Sequence, residues 1–454
     1  MRKYLDTPKI DYVLTHLKLR CDISAELNQK LVFLQDCDLN KLPQDCLVFP
    51  LSKQERVLNQ QVDDIPILYP VFPQEEVHYF EKKGSLVFTH DIFQQIFCLQ
   101  TLYYETEITD KDKLGRVIPE LTLNFKLGIL HKPIVDYLFE IIIKALEDFC
   151  RSKKLAFRRH DLLPKHTFLL SHDVDRIETY SFYNTLNSLK IFLLKADKYN
   201  FSRMIKHFKE YFKFHKRANP LWDFPEMRDI EKEFELKSSY YFLNQGTLHQ
   251  DAYYSLACPR ILSLIKEIES DKHEIGLHLT IAGNKDEQII TKNLQKLNRV
   301  VRNKVAGVRS HWLRFEPGLT PDILEKLAIK YDTSIGHYSL EGFRAGTCMP
   351  YKLFSYAQNK TLNVWELPLI YMDCMILDYQ NISQDQALQK LKEIVNEVIK
   401  FKGIFSLLWH NGNFSQTRPY NRKDFYLKLI KMILDTQPEN LTAKSLVDWL
   451  EENK

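Results

Sequence analysis

The sequence predicts an α/β protein: a distorted seven-stranded (β/α) barrel preceded by a smaller α+β domain. Three features predict it. From residue 166 onward, short apolar, β-friendly runs alternate with amphipathic helical patterns, as parallel βα units require. Polar side chains capable of chemistry recur at the ends of those runs, where α/β folds gather their active sites. A basic, polar stretch over 151–165 separates this series from an N-terminal part of different pattern.

Residues 1–150 mix strand-like runs ("CLVFPL", "GSLVFT") with helical patterns at 91–105 and 132–149 and are read as one domain; 151–165 is read as a linker. The barrel region, 166–454, offers seven strands: "HTFLLSHDV" (166–174), "SSYYFLN" (238–244), "HEIGLHLT" (273–280), "VAGVRSHW" (305–312), "YDTSIG" (331–336), "VWELPLI" (364–370) and "IFSLLWH" (404–410). Helical patterns such as "PRILSLIKEIESD" and "QDQALQKLKEIVNEVIKF" lie between several of them. The long segment from 176 to about 236 is rich in Phe, Tyr and Lys and is expected to be a helical insertion covering one side of the barrel.

Composition narrows the function. The 454 residues are 44% hydrophobic, with 63 basic against 59 acidic residues, a net charge of +4 that makes no electrostatic case for nucleic acid. The basic run at 207–217 reads as a solvated helix face. Eight dispersed cysteines contain no C-x-x-C pair, which suits reduced thiols. The N-terminus has no signal-peptide-like core, and no apolar run reaches the roughly 18 residues of a transmembrane helix. A cytoplasmic location is therefore expected. No G-x-G-x-x-G or P-loop is present, which disfavours a nucleotide-binding enzyme.

At the strand ends stand Asp173 and Asp175, His278, Arg309 and His311, and His410. Side chains alternate along a strand, so the two aspartates share a face, as do Arg309 and His311, while His172 points the other way and is given a structural hydrogen bond. A carboxylate and imidazoles are usual ligands of zinc or a similar divalent ion. A second carboxylate serves as general base, a histidine across the pocket as acid, and an arginine as partner of the base. Metal-assisted hydrolysis of an amide or ester uses this inventory most naturally.

The motifs "LLSHDVD", "HEIGLH", "GVRSHW", "DTSIG" and "LLWH" resemble, in order, those of polysaccharide deacetylases of the NodB-homology type, carbohydrate esterase family 4. The phrases "VRSHWLRF", "GFRAGTC" and "LLWHNGNF", with "FTHDIFQQIFCLQTLYYE", "DKLGR" and "KPIVDYLFEII" upstream, resemble a bacterial branch with an extra N-terminal domain. The resemblance implies a NodB-like barrel with Asp173 as catalytic base, Asp175 and His278 as metal ligands, Arg309 as partner of the base and His410 as general acid. It implies a divalent metal, zinc with cobalt or nickel as alternatives, and an acetylated carbohydrate substrate in surface polysaccharide biosynthesis.

Two departures stand out. Val174 separates the aspartates that the family commonly has adjacent, and Ala282 replaces the family's second metal histidine. Thr280 and Asn284 are poor zinc ligands; His311 is the replacement candidate. The competing expectation, which Ala282 favours, is a non-catalytic barrel binding a glycan or a partner protein. Cys348 is read as a packed thiol, His273 as support for its strand, Glu366 as a buried hydrogen-bonding group or a pocket residue, and the aromatics at 209–214 and 238–243 as packing.

Overall fold

The computed structural model describes residues 5–53, 56–58, 60–177, 182–195, 198–214, 221–244, 251, 254–380, 382–414 and 422–453. The N-terminal part opens with helix α1 (Thr7–Lys18), capped by the Asp6 carboxylate on Lys9 N–H. Strands β1 (Leu31–Gln35), β2 (Leu47–Leu51), β3 (Tyr79–Lys82) and β4 (Ser85–Phe88) form a sheet of order β1-β2-β4-β3, with only the last pair antiparallel. The pattern expected over 91–105 yields α2 (Ile92–Gln100) followed by a 3-10 turn, because Leu102 adopts φ 58°. Helix α3 (Ile134–Lys153) buries Ile134, Leu138, Ile142, Leu146 and Phe149 at helical spacing into a core that, apart from Phe354, is built from buried residues of the N-terminal part.

All seven expected strands form: β5 (Thr167–Val174), β6 (Ser238–Leu243), β7 (Glu274–Leu279), β8 (Gly307–Ser310), β9 (Tyr331–Asp332), β11 (Lys360–Glu366) and β13 (Ile404–Leu408). The strands β10 (Tyr351–Ser355), β12 (Tyr371–Met372) and β14 (Glu439–Asn440) join them. The sheet runs β10-β11-β9-β8-β7-β6-β5-β13-β12, with β14 beside β5. Every pairing is parallel except the β10–β11 hairpin.

That order forces curvature. Only residues 367–370 join β11 to β12, and such a connection spans at most about 18 Å. A flat sheet would hold those strands about 34 Å apart at ~4.8 Å per strand. The sheet therefore curls, and among the described residues β11 and β12 do not pair.

Helices supply the outer layer, among them α4 (Phe182–Lys195) and α5 (Lys198–Phe214) of the insertion, α6 (Phe224–Glu233), α7 (Pro259–Ser270), α8 (Glu287–Asn298), α9 (Thr320–Lys326), α10 (Gln384–Phe401) and α11 (Arg422–Leu434). Phe168 and Leu170 of β5 face a core shared with α10 and α11, while Leu169 joins Tyr241, Tyr331 and Trp365 in a separate cluster closed by Leu446, Val447 and Leu450 of α12 (Ala443–Glu452). Among the described residues no helix is long and apolar enough to cross a membrane.

The "GFRAGTC" loop joins the two parts. Asp136 of α3 accepts from Arg20 (2.7 Å), Thr347 Oγ1 (2.9 Å) and Cys348 N–H (2.8 Å). Arg344 grips Glu105 at 2.6 and 3.0 Å. Gly342 has φ +117°, and a Cβ there would lie 2.3 Å from Leu130 O, so both conformation and close approach require glycine. Cys348 is fully buried against Asp136; burial, reinforced by that carboxylate, pushes its thiol far above the usual range, and it serves as packing.

Candidate active site

Strand β5 carries Asp173 to its penultimate position and Asp175 just past its end. His278 lies near the end of β7, with Arg309 directly beside it in register on β8. His311 follows the last residue of β8 directly. Strand β8 stops at Ser310, and Trp312 and Leu313 adopt φ 63° and 54°, a left-handed turn. His410 follows β13.

The six residues singled out from the sequence meet at one cavity of about 530 Å³, lined by five of them, with Arg309 reaching it through Asp173. Arg309, 1% exposed, donates from Nη1 to Asp173 Oδ1 at 2.9 Å and from Nε and Nη2 to Thr333 at 3.1 and 3.2 Å, with its guanidinium 4.5 Å from the Tyr241 ring centre. Asp173 Oδ2 is left facing His278 Nε2 at 3.5 Å.

His278 Nδ1 lies 2.8 Å from Arg309 O. A carbonyl only accepts, so Nδ1 carries a proton and, in the neutral ring, Nε2 presents the lone pair. His311 is set the same way by a carboxylate: its Nδ1 is 3.2 Å from Asp251 Oδ1, which also accepts Ile281 N–H at 2.9 Å. The two Nε2 atoms converge on Asp175, His278 at 3.2 Å from Oδ1 and His311 at 3.5 Å from Oδ2. Asp175 Oδ1 is buried without a hydrogen bond. Asp175, His278 and His311 each offer a ligand atom, all within 4.8 Å of one another.

With both rings neutral, acceptors face acceptors here, and a cation between them, metal ion or proton, satisfies the group. Two imidazoles and a carboxylate match a catalytic zinc set, and a carbonyl or carboxylate behind each histidine is the usual outer support. Burial disfavours a charged His311, yet Asp175 and Asp251 raise it to about 9. A proton and a metal ion thus compete for one place. Burial likewise opposes ionisation of Asp175, but His311 and His278 hold its carboxyl well below the usual range.

Ala282 lies outside this set. Thr280 Oγ1 and Asn284 Nδ2 are occupied with Gly283 N–H and Arg314 O. His311 occupies the position that alternation along β8 assigned to it, directly after Ser310, whose backbone is still extended.

Across the cavity, His410 Nδ1 is 3.0 Å from Asp373 Oδ1, and its backbone N–H donates to Asp373 Oδ2 at 2.6 Å. Burial disfavours the charged ring, but Asp373, with Asp175 and Asp173 behind it, raises His410 to about 10. Asn413 also donates to Asp373 and is itself held by Arg422. Sequence reasoning missed Asp373, although it stands one residue past β12, the same strand-end signal that marked the others. It missed Asp251 as well, which no pattern marks.

The far wall combines Trp312, Tyr338 and Tyr379 with Arg116 from the N-terminal part. The "DKLGR" turn explains that arginine. Asp112 Oδ1 accepts Leu114 and Arg116 N–H, Asp112 Oδ2 pairs with Arg116 Nε at 2.7 Å, and Gly115 takes φ +77°. The guanidinium thereby lies 3.6 Å from the Tyr338 ring centre. Glu366 does not line the cavity; it is fully buried, accepts Ile335 N–H at 2.9 Å and faces Asp332.

Residues 3–151 match a family model described only as a family of unknown function, DUF7033. No curated protein matches the chain. Among solved structures, the chain is similar to a Mycobacterium smegmatis protein assigned as a polysaccharide deacetylase (17% identity, 64% of this chain and 92% of that one, TM-score 0.42). A Pseudomonas aeruginosa PAO1 protein with the same assignment follows (12%, 63% and 92%, TM-score 0.42), as does Puue allantoinase (13%, 63% and 91%, TM-score 0.41). At these values the likenesses carry no functional weight; the chemistry follows from the side chains.

Proposed function

We propose that the protein is a metal-dependent hydrolase that removes acetyl groups from an N- or O-acetylated sugar during surface polysaccharide biosynthesis. The observation that carries this reading is the convergence of Asp175, His278 and His311 beside an arginine-held carboxylate and an aspartate-held histidine in one cavity. Asp175, His278 and His311 would hold the metal, with zinc the best match and cobalt or nickel alternatives. A cation bound there would supply Lewis-acid activation of water and of the acyl oxygen.

The chain's own residues do the rest. Arg309 occupies Asp173 Oδ1, so Oδ2 is the atom that takes the proton from the attacking water. Water oxygen bonds to the acetyl carbon, and the bond from that carbon to the sugar nitrogen or oxygen breaks. His410, whose Nδ1 is committed to Asp373, donates the Nε2 proton to the departing amine or hydroxyl, leaving acetate and the free sugar group. The aromatic wall of Trp312, Tyr338 and Tyr379 is suited to a sugar ring.

Residues 1–150 are read as an N-terminal α+β domain, 151–165 as a linker and 166–454 as a distorted seven-stranded NodB-like barrel; largely distinct hydrophobic cores, crossed by Phe354 and Leu102, support the division. The alternative of a non-catalytic glycan- or partner-binding barrel drew on Ala282, and His311 beside Asp175 and His278 favours catalysis over it.

The test is acetate release from N- and O-acetylated amino-sugar oligomers by zinc-loaded protein. Release that disappears in Asp173→Asn supports the reading. A zinc-loaded protein that binds these oligomers and releases no acetate would return the barrel to the binding class.

A further inference from the structure

We infer that the helical insertion, α4 with α5, docks onto an anionic lipid surface. On α4, Leu186, Leu193 and Leu194 are 46%, 70% and 75% exposed, and their spacing places them with exposed Lys190 on one side of the helix. On α5, Phe201 and Ile205 are 49% and 36% exposed, with Lys209 one turn further along the same side. The helices pack together through Phe192 and Phe201, rings 5.3 Å apart. Other large exposed apolar residues, such as Leu58, Phe125 and Leu319, lie far apart in the sequence and form no such series.

Charge selects the occupant. Residues 182–214 hold seven Lys/Arg against two acidic residues, so the rest of the chain carries a net −1 while the whole carries +4. The entire positive excess is gathered on the segment that exposes its leucines. Leucine and phenylalanine entering the acyl boundary, with lysine stems reaching back to the phosphates, is the pattern of a helix lying in the lipid interface. A second copy of this chain would present the same positive charge and be repelled.

The insertion is rooted at the catalytic cavity. Arg176, on the way into it, and Leu221, on the way out, both line the pocket. Docking would hold the cavity at the lipid surface, where a lipid-borne substrate resides. The docking itself stands without the hydrolase reading.

The test is co-flotation of the full-length protein with phosphatidylcholine vesicles, with and without phosphatidylglycerol. Two variants are compared: Leu193→Ser/Leu194→Ser/Phe201→Ser and Lys190→Glu/Lys206→Glu/Lys209→Glu, each checked by thermal unfolding. The expected result is binding only to vesicles containing phosphatidylglycerol, weakened by high salt and at least about tenfold weaker in each variant. The charge-reversed variant, altered only at exposed lysines, keeps the test valid if the apolar variant fails to fold. No binding to the anionic vesicles, or binding unchanged by charge reversal, would overturn the proposal. So would self-association that the apolar substitutions abolish in the absence of lipid binding, which would assign the face to a second copy.

Discussion

Two clusters of one carboxylate and two histidines flank β5, and they behave oppositely. On the helix side, Glu231 of α6 receives His172 Nε2 at 2.8 Å, Tyr240 OH at 2.8 Å and His273 Nε2 at 3.4 Å. His172 uses its other nitrogen on Trp409 O at 2.7 Å. Tyr240 OH and His273, whose Nδ1 accepts Ser238 N–H, donate to the carboxylate, both of its oxygens are engaged, and Glu231 is fully buried. On the cavity side, Asp175 faces the Nε2 atoms of two imidazoles whose Nδ1 atoms are committed elsewhere, with one oxygen unsatisfied and the side chain 26% exposed. The residue types match. What separates a structural cluster from a reactive one is the balance of donors and acceptors, and access.

The sharpest way to break this comparison is to mutate both sides. Asp173→Asn should lower turnover by about 10³-fold, within the range for a lost general base, while metal content stays unchanged. A variant with near-full activity would remove Asp173 from the chemistry. Glu231→Ala should do the reverse: about 3–5 kcal/mol of stability lost in urea unfolding, because two buried histidines lose their partner, with metal content intact in the folded fraction. Metal loss from folded Glu231→Ala protein would show that the two clusters are not independent.

Finer distinctions follow. Asp251→Ala removes the carboxylate behind His311 and should weaken zinc affinity about 10–100-fold, read by competition with a chromophoric chelator. Unchanged affinity would mean that His311 needs no such support. The smallest effect is in pH. Burial opposes ionisation of Glu231, but His172 and His273 outweigh it and hold its carboxyl below the usual 4.5. Its contribution is therefore present above about pH 4.5 and lost as pH falls through the lower folded-state value. Wild-type unfolding free energy should fall with acid in that window more steeply than that of Glu231→Ala; equal slopes would contradict the assignment.

Much of this was legible in the sequence. Alternation along "LLSHDVD" separated His172 from Asp173 and Asp175, and the structure sends them to opposite faces, because β5 is regular and paired on both sides. Alternation also selected His311, which follows the extended Ser310 directly; the left-handed turn begins only after it, at Trp312. The strand expected over 331–336 stops at Asp332, whose side chain turns to cap Ser334. The β10–β11 hairpin went unforeseen, and β12 was too short to show a period. With β12 unrecognised, Asp373 could not be read as a strand-end residue. Asp251 meets His311 across 60 residues of chain, a distance no local pattern spans.

The most direct test of the account is elemental analysis of untagged wild-type and His311→Ala protein after dialysis against metal-free buffer and reloading with zinc. The account predicts roughly one tightly held zinc per wild-type chain and none retained by the variant. Wild-type protein that retains no metal, or a variant that retains it as tightly, would contradict the assignment of Asp175, His278 and His311 as the metal centre.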